Sequence, residues 1–202
     1  MMEAGSPRMA ILDWGWAGSA LELESGDLHV VAVSGHGALV ALMDGLGHGP
    51  EAAAAAQAAV SLLESGVGDS VSDLVQRCHE RLRKTRGVAM SLASFNARDA
   101  SMTWTGVGNV DGVLLRCGKP PRAILMRGGV VGYKLPSLHL DTIAVSPGDL
   151  LVMATDGIRS GFSAGLSIDG SPRELAESIL ARFAKRTDDA HVVVARYLGR
   201  ES

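Results

Sequence analysis

The sequence predicts an α+β fold built as a layered sandwich, and two patterns of elements lead to this class. Segments 28–33 and 38–43 are strongly β-forming and flank the turn Gly35-His36-Gly37, which predicts an antiparallel hairpin. Six further short strands are predicted between residues 88 and 154, whereas helices are inserted first as a pair and later singly. Hairpins grouped in this way are typical of α+β layers rather than of a parallel βαβ fold.

Each helix has a local cause. Pro50 suits the first position of a helix that ends near Gly66. Ser70 begins a second helix, with Asp73 placed for a capping box. Apolar residues recur there at helical spacing from Val71 to Leu82, and the helix is predicted to end near residue 86. A last helix is predicted over 172–185, with Ser171 as its N-cap.

The strands are separated by turn-forming residues. An early strand or hairpin is predicted over 9–24, and the chain ends on a strand over 191–197. The turn at 118–120 is predicted to separate two strands of the central block. The strands predicted in that block are 88–96, 101–107, 113–117, 123–126, 139–145 and 150–154.

Composition indicates a soluble globular protein with a single domain over residues 1–202. Hydrophobic residues make up 47% of the chain and charged residues 20%, and the net charge of −3 disfavours nucleic acid as a partner. Cys78 and Cys117 form no disulfide framework, and the apolar run at 9–12 ends at Asp13, too early for a signal peptide. We therefore expect a cytoplasmic monomer without a membrane partner.

Two Asp-Gly pairs stand where apolar strands end. Asp44-Gly45 follows 38–43 and leads into a helix, whereas Asp156-Gly157 follows 150–154. Each pair alone is a common hairpin-turn signal. Asp188-Asp189 and Asp27 add acidic turns beside strands, however, and carboxylates gathered at one sheet edge suit hard cations such as Mg²⁺ and Mn²⁺.

Other motifs favour different chemistry less strongly. Gly45, Gly47 and Gly49 resemble a phosphate-binding loop, but the spacing differs from that of dinucleotide loops and Asp44 would repel a pyrophosphate. Gly161 to Gly165 resembles a nucleophile elbow without its strand and helix. His48 is either a proton-transfer residue or a solvent-facing loop residue. The basic residues between 77 and 86 form either a solvated face or a docking surface for an acidic partner.

Taken together, the ordered motifs resemble the metal-dependent PPM (type 2C) family of serine/threonine protein phosphatases, in its RsbX-like branch of stressosome phosphatases. The motifs that carry the resemblance are Ser25-Gly26-Asp27, Asp44-Gly45-Leu46-Gly47, the segment 77–87, Gly106-Val107-Gly108-Asn109-Val110, Thr155-Asp156-Gly157 and Asp188-Asp189. The resemblance covers nearly the whole chain.

The resemblance implies a four-layer αββα sandwich, the PPM phosphatase fold, in which two antiparallel sheets are flanked by helices and two Mn²⁺ or Mg²⁺ ions lie in a cleft at one end. It implies that Asp44 bridges both ions and that Gly45 contributes its carbonyl oxygen. Asp156 and Asp188 would bind the second ion, and Asp27 would act through a metal-bound water.

By the same resemblance, the chain is expected to be a phosphoserine/phosphothreonine protein phosphatase. Its substrates would be phosphorylated STAS-domain proteins of a stressosome-like complex, which it would reset after stress. The sequence departs from the family where Leu46 replaces a frequent His, where His191 replaces a frequent Thr, and where no N-terminal phosphate-binding Arg is found. The missing His and Arg leave open a phosphatase fold that only binds a phosphoprotein. A small-molecule phosphohydrolase is a further alternative.

Overall fold

The computed structural model describes residues 11–21 and 24–199, which form eleven strands and three helices. The strands are β1 Leu12–Ser19, β2 Asp27–Ser34, β3 Gly37–Gly45, β4 Val88–Asn96, β5 Ser101–Val107, β6 Asp111–Arg116, β7 Lys119–Ala123, β8 Met126–Arg127, β9 Asp141–Ala144, β10 Leu150–Ala154 and β11 Ala190–Tyr197. The helices are α1 Pro50–Leu63, α2 Val71–Leu82 and α3 Pro172–Phe183.

The strands form two sheets. Sheet A has the order β1-β11-β10-β6-β7, and sheet B has the order β2-β3-β4-β5-β8, with β9 paired to β5. All pairings are antiparallel except that of β5 with the two-residue strand β8. The predicted hairpin is formed by β2 and β3, in which Asp27 lies opposite Asp44.

Side chains of both sheets fill the space between them. Trp104, Phe95 and Leu42 of sheet B meet Leu151 and Tyr197 of sheet A in one buried cluster, and the Phe95 and Tyr197 rings stack with centroids 5.9 Å apart. A second cluster lies between sheet B and helices α1 and α2, and a third lies between sheet A and α3. The layers therefore run α, β, β, α, as the four-layer prediction requires.

Strand alternation explains why each strand serves two clusters. Along β3, Leu39, Ala41 and Met43 face the helices, whereas Val40 and Leu42 face the other sheet. Successive side chains of a strand point to opposite faces. Because both faces are covered, β3 is an almost continuous apolar run, and Asp44 is a polar residue placed where that run ends.

Small residues let α1 lie close to sheet B. Ala52, Ala55 and Ala59 are fully buried on the helix face that meets the sheet. Ser70 caps α2 by accepting a hydrogen bond from Asp73 N, and Ser171 and Glu174 form a complete capping box at α3.

Some predicted boundaries are wrong. The second helix ends at Leu82 rather than near residue 86, and residues 119–120, predicted as a turn, belong to strand β7. Strand β7 is an edge strand whose residues are all exposed, which explains how Pro120 and Pro121 fit in it. Apolar alternation could not reveal such a strand, because it buries no face.

The described helices include none that is long and apolar enough to cross a membrane.

Candidate metal centre

The ends of β2 and β3 place two carboxylates side by side. Asp27 begins β2 and Asp44 lies directly opposite it near the end of β3. Asp27 is buried with 4% of its surface exposed, and its Oδ2 accepts a hydrogen bond of 2.7 Å from Thr155 Oγ1. Thr155 stands one residue after β10, so this bond connects the ends of the two sheets.

Two glycines allow the acidic turns to lie against their neighbours. A Cβ at Gly45 would lie 2.2 Å from the Ala52 carbonyl oxygen of α1, and a Cβ at Gly157 would lie 1.7 Å from the Asp189 carbonyl oxygen. Both distances are far below a van der Waals contact, so only glycine fits at these positions. Because residue 157 is glycine, the neighbouring Asp156 can lie beside the Asp188-Asp189 turn.

Three of the predicted ligands line one cleft. Asp44, Asp156 and Asp188 surround a cavity of about 380 Å³ at the edge of the two sheets, together with Leu46, His48 and Asn109. Asn109 Nδ2 donates a hydrogen bond of 2.6 Å to Asp156 Oδ2. Lys185 Nζ donates one of 2.5 Å to the Asp156 carbonyl oxygen, which fixes the backbone of that turn.

The Asp189 carboxylate, unlike that of Asp188, is engaged in hydrogen bonds to the described residues just before β2. Its carboxylate accepts hydrogen bonds from Leu21 N at 2.7 Å, from Gly26 N at 2.8 Å and from Ser25 Oγ at 3.1 Å. These bonds hold the start of β2 against the start of β11. Gly26 O in turn accepts a bond of 3.0 Å from Gly45 N, so Asp189 indirectly positions the turn that follows Asp44.

The gathered negative charge disfavours ionisation. Burial, with repulsion from Asp44, Asp189 and Asp156, raises the pKa of Asp27 to about 8, although its bond from Thr155 opposes the shift. Burial, with repulsion from Asp156 and Asp188, raises the pKa of Asp44 to about 7. A cluster of this kind is stabilised either by protons or by a cation.

The donor set suits a hard divalent cation. Carboxylates and a backbone carbonyl are the ligands that Mg²⁺ and Mn²⁺ prefer. Within residues 11–21 and 24–199, no three acidic, His or Cys side chains are grouped so that they would hold an ion as they stand. Asp27 and Asp156 instead accept hydrogen bonds from Thr155 and Asn109. Metal binding thus stays a prediction for Asp27, Asp44, Gly45, Asp156 and Asp188. To bind an ion, the Asp27 and Asp156 carboxylates would have to give up the hydrogen bonds from Thr155 and Asn109.

Three residues that organise this cleft lie outside the set predicted from the sequence. Asn109 and Thr155 belong to the motifs that carry the resemblance, but their bonds to Asp156 and Asp27 depend on the meeting of distant strands. Asp189 belongs to a predicted acidic turn, and the sequence alone indicates no separate function for it. A small polar residue adjoining a strand-end Asp is the only local signal, and it is too common to be decisive.

The comparisons with known proteins identify the family. Residues 34–198 match the family model of Stage II sporulation protein E (SpoIIE). The chain belongs to the SpoIIE family. It is 25% identical over 163 residues to the phosphoserine phosphatase RsbX of Bacillus subtilis, which covers 78% of this chain and 80% of RsbX.

Solved structures show the same fold. A chain from a structure described as the bacterial stressosome, a modular system adapted to control secondary messenger signalling, has a TM-score of 0.84 and 31% identity, covering 92% of this chain and 99% of the other. RsbX in complex with magnesium has a TM-score of 0.84 and 21% identity, covering 98% and 100%. The expected PPM-type fold and the resemblance to the RsbX-like branch are confirmed.

The raised pKa of Asp44 predicts how Asp44→Asn changes stability. An unfolded Asp44 ionises near its ordinary pKa of 3.8, whereas the folded group ionises near 7. The destabilisation caused by ionising Asp44 in the folded protein therefore grows as pH rises from about 4 and reaches its full value near pH 8. In metal-free protein at pH 8, we expect Asp44→Asn to raise the free energy of unfolding by up to about 4 kcal/mol, the value that corresponds to the full shift, measured by urea denaturation. At pH 4 the two proteins should be equally stable, and a lower stability of the variant at pH 8 would contradict the charge argument.

The contact of Gly157 with Asp189 predicts a further effect. Because an added Cβ would strike the Asp189 carbonyl oxygen, Gly157→Ala should displace the Asp188-Asp189 turn and destabilise the protein by about 2 kcal/mol. Gly128→Ala is the matched control, since a Cβ there meets nothing within 4 Å. Thermal unfolding of both variants measures this. Equal melting temperatures would show that the turn accommodates a side chain.

Proposed function

We propose that this protein is a Mn²⁺- or Mg²⁺-dependent phosphoserine/phosphothreonine protein phosphatase that acts on phosphorylated STAS-domain proteins of a stressosome-like complex. The observation that carries the proposal is the meeting of Asp44, Asp156 and Asp188 around one open cleft at the sheet edge. Membership of the SpoIIE family and the likeness to RsbX, a phosphoserine phosphatase, support it.

The residues of the cleft suit hydrolysis by water. Divalent ions, when bound, supply the positive charge that activates water and stabilises the charge developing on a phosphoryl group. Asp44, Asp156, Asp188 and the Gly45 carbonyl would hold two such ions, and Asp27, behind Asp44, would orient a water. Among the described residues that line this cleft there is no Ser or Cys, which agrees with direct attack by water rather than with a covalent intermediate.

Protonation of the leaving serine oxygen needs a donor other than residue 46. Leu46, with 36% of its surface exposed, lines the cleft but has no proton to give. His48 lies two residues further along the same loop and also lines the cleft. It is the imidazole best placed for this role within the cleft.

Arg86 is positioned to bind the phosphate of the substrate. A Cβ built on Gly47, which lines the cleft, would lie 2.6 Å from Arg86 Nη1. The segment after α2 is tied to the same loop, because Leu46 N donates a hydrogen bond of 3.1 Å to Gly87 O. Arg86 pairs with Glu51, an exposed residue in the first turn of α1. A phosphate dianion in the cleft would compete with Glu51 for the Arg86 guanidinium.

The basic residues of α2 and the segment after it therefore divide into two groups. Arg77 pairs with Asp69 at 2.7 Å on the protein surface, as a solvated helix face would. Arg86 instead adjoins the cleft, beyond the end of the helix at Leu82.

Activity with Asp44→Asn tests the proposal directly. Wild-type protein should release phosphate from a phosphorylated STAS-domain protein only with Mn²⁺ or Mg²⁺. Asp44→Asn should lower kcat by at least about 100-fold, because it removes the shared ligand, and Asp69→Asn on the surface should be a neutral control. Malachite-green release of phosphate measures the rate, and hydrolysis that persists in chelator or in Asp44→Asn would exclude the mechanism.

The role of Arg86 predicts a change in phosphate affinity. Arg86→Gln should raise the inhibition constant of inorganic phosphate about tenfold, since a charged hydrogen bond is worth about 1.5–3 kcal/mol. Arg83→Gln, an exposed change on the same segment, should leave that constant unaltered. An equal effect of both variants would indicate a general loss of positive charge rather than a specific contact.

The alternative of a module that only binds a phosphoprotein has one observation in its favour, namely that Asp156 is engaged by Asn109 rather than grouped for ligation. Calorimetry with Mn²⁺ separates the two functions. The enzyme must bind Mn²⁺, and Asp44→Asn must weaken that binding. A module without metal affinity would bind the phosphoprotein equally well in chelator.

A further inference from the structure

Strand β1 has one free edge. It is the outermost strand of sheet A and pairs with β11 from Leu12 opposite Tyr197 to Ser19 opposite Ala190. Within the described part of the chain, no strand pairs with its other edge. A free edge presents backbone N–H and C=O groups that another extended chain can bind.

Two tryptophans beside this edge are exposed. Trp14 and Trp16 have 41% and 48% of their surfaces exposed, whereas Trp104, the remaining Trp of the chain, is buried. Large exposed apolar side chains gathered in one place are typical of interaction sites, and Trp is enriched among the residues that dominate binding energy.

The tryptophan rings are already held in place. The Trp16 ring stacks on His191, with centroids 5.2 Å apart and planes 6° apart, and the Trp14 ring meets His29 edge-on at 5.7 Å. His29 Nδ1 and His191 Nε2 share a hydrogen bond of 2.9 Å. Side chains ordered before binding lose little entropy when a partner arrives.

A groove runs beside the free edge. Its volume of about 500 Å³ exceeds that of the acidic cleft, and it lies between β1 and the α3 residues Arg173, Glu177 and Leu180. Gly15 contributes to this groove, where a Cβ would lie 2.5 Å from the Arg173 backbone. The strand and the helix are thus in close contact beneath the groove.

The edge leads into the acidic cleft. Ser19, at the end of β1, lies opposite Ala190, the residue after Asp189. Leu21, which has 52% of its surface exposed, lines the cleft and donates its N–H to Asp189. From Trp14 to Ser19 a strand extends about 17 Å. A chain lying on this edge for five or six residues would therefore reach the cleft with its next residues.

We propose that the free edge of β1, with Trp14 and Trp16, binds an extended segment of the phosphoprotein substrate next to its phosphorylated residue. This inference rests on the proposed function. The substrate is the expected partner because the free edge of β1 is continuous with the cleft. When a phosphorylated residue occupies the cleft, the polypeptide on one side of it must lie against the neighbouring surface, where β1 offers backbone hydrogen-bonding groups and two aromatic side chains. Addition of a strand to an exposed sheet edge is a general mode of peptide recognition.

Two substrates separate docking from chemistry. The Trp14→Ala/Trp16→Ala double variant should lower kcat/KM for a phosphorylated STAS-domain protein at least tenfold. For p-nitrophenyl phosphate, which is too small to reach the edge, kcat/KM should stay within twofold of wild type. The latter also shows that the variant is folded. The matched control is Leu198→Ala, which removes an exposed apolar side chain just after the other end of β11.

Each remaining outcome overturns the proposal. An equal loss of kcat/KM for both substrates would show that the tryptophans maintain the structure of the cleft rather than bind the phosphoprotein. Unchanged turnover of the phosphoprotein would exclude β1 as its binding edge, while the proposed phosphatase function would stand. A dimer of the wild-type chain that the double variant abolishes, seen by light scattering, would make a second copy the occupant. Failure of wild-type protein to hydrolyse either substrate with Mn²⁺ would refute the proposed function itself.

Discussion

The close approach of two glycine turns to their neighbours is the constraint on which the candidate site depends. Gly45 lies against the carbonyl of Ala52, and Gly157 lies against that of Asp189. Any side chain at either position would separate an acidic turn from the rest of the cleft. These contacts hold the end of sheet B against α1 and the end of β10 against the start of β11. The carboxylates meet because the backbone there carries no Cβ.

This meeting has an electrostatic cost that points to its function. Asp27 is buried and Asp44 is half-buried, and their raised pKa values reflect this burial first and the repulsion between the carboxylates of the cluster second. A protein that used these residues only for stability would gain more from neutral side chains of similar shape. A divalent cation would neutralise this repulsion, so metal binding would restore the stability that the clustered carboxylates take from the folded protein.

Much of the fold could be predicted because local and long-range preferences agree. β3 is apolar on both faces since it lies between the helices and the other sheet, and its pattern alone identified it. Strand β7 could not be found in this way, because it is exposed and contains prolines. The acidic set was found from residue order and family resemblance. The supporting bonds of Asn109, Thr155 and Asp189 were not, since they join residues far apart in the chain.

Anomalous scattering from crystals soaked in Mn²⁺ shows directly whether Asp44, Asp156 and Asp188 share bound metal. Shared binding predicts anomalous peaks in the cleft within about 2–2.5 Å of these carboxylates. The Asp44 carboxylate and the Gly45 carbonyl oxygen should be among the ligands, and crystals of Asp44→Asn should show no such peaks. A cleft without anomalous signal at millimolar Mn²⁺, with Asp156 still hydrogen-bonded to Asn109, would contradict shared binding.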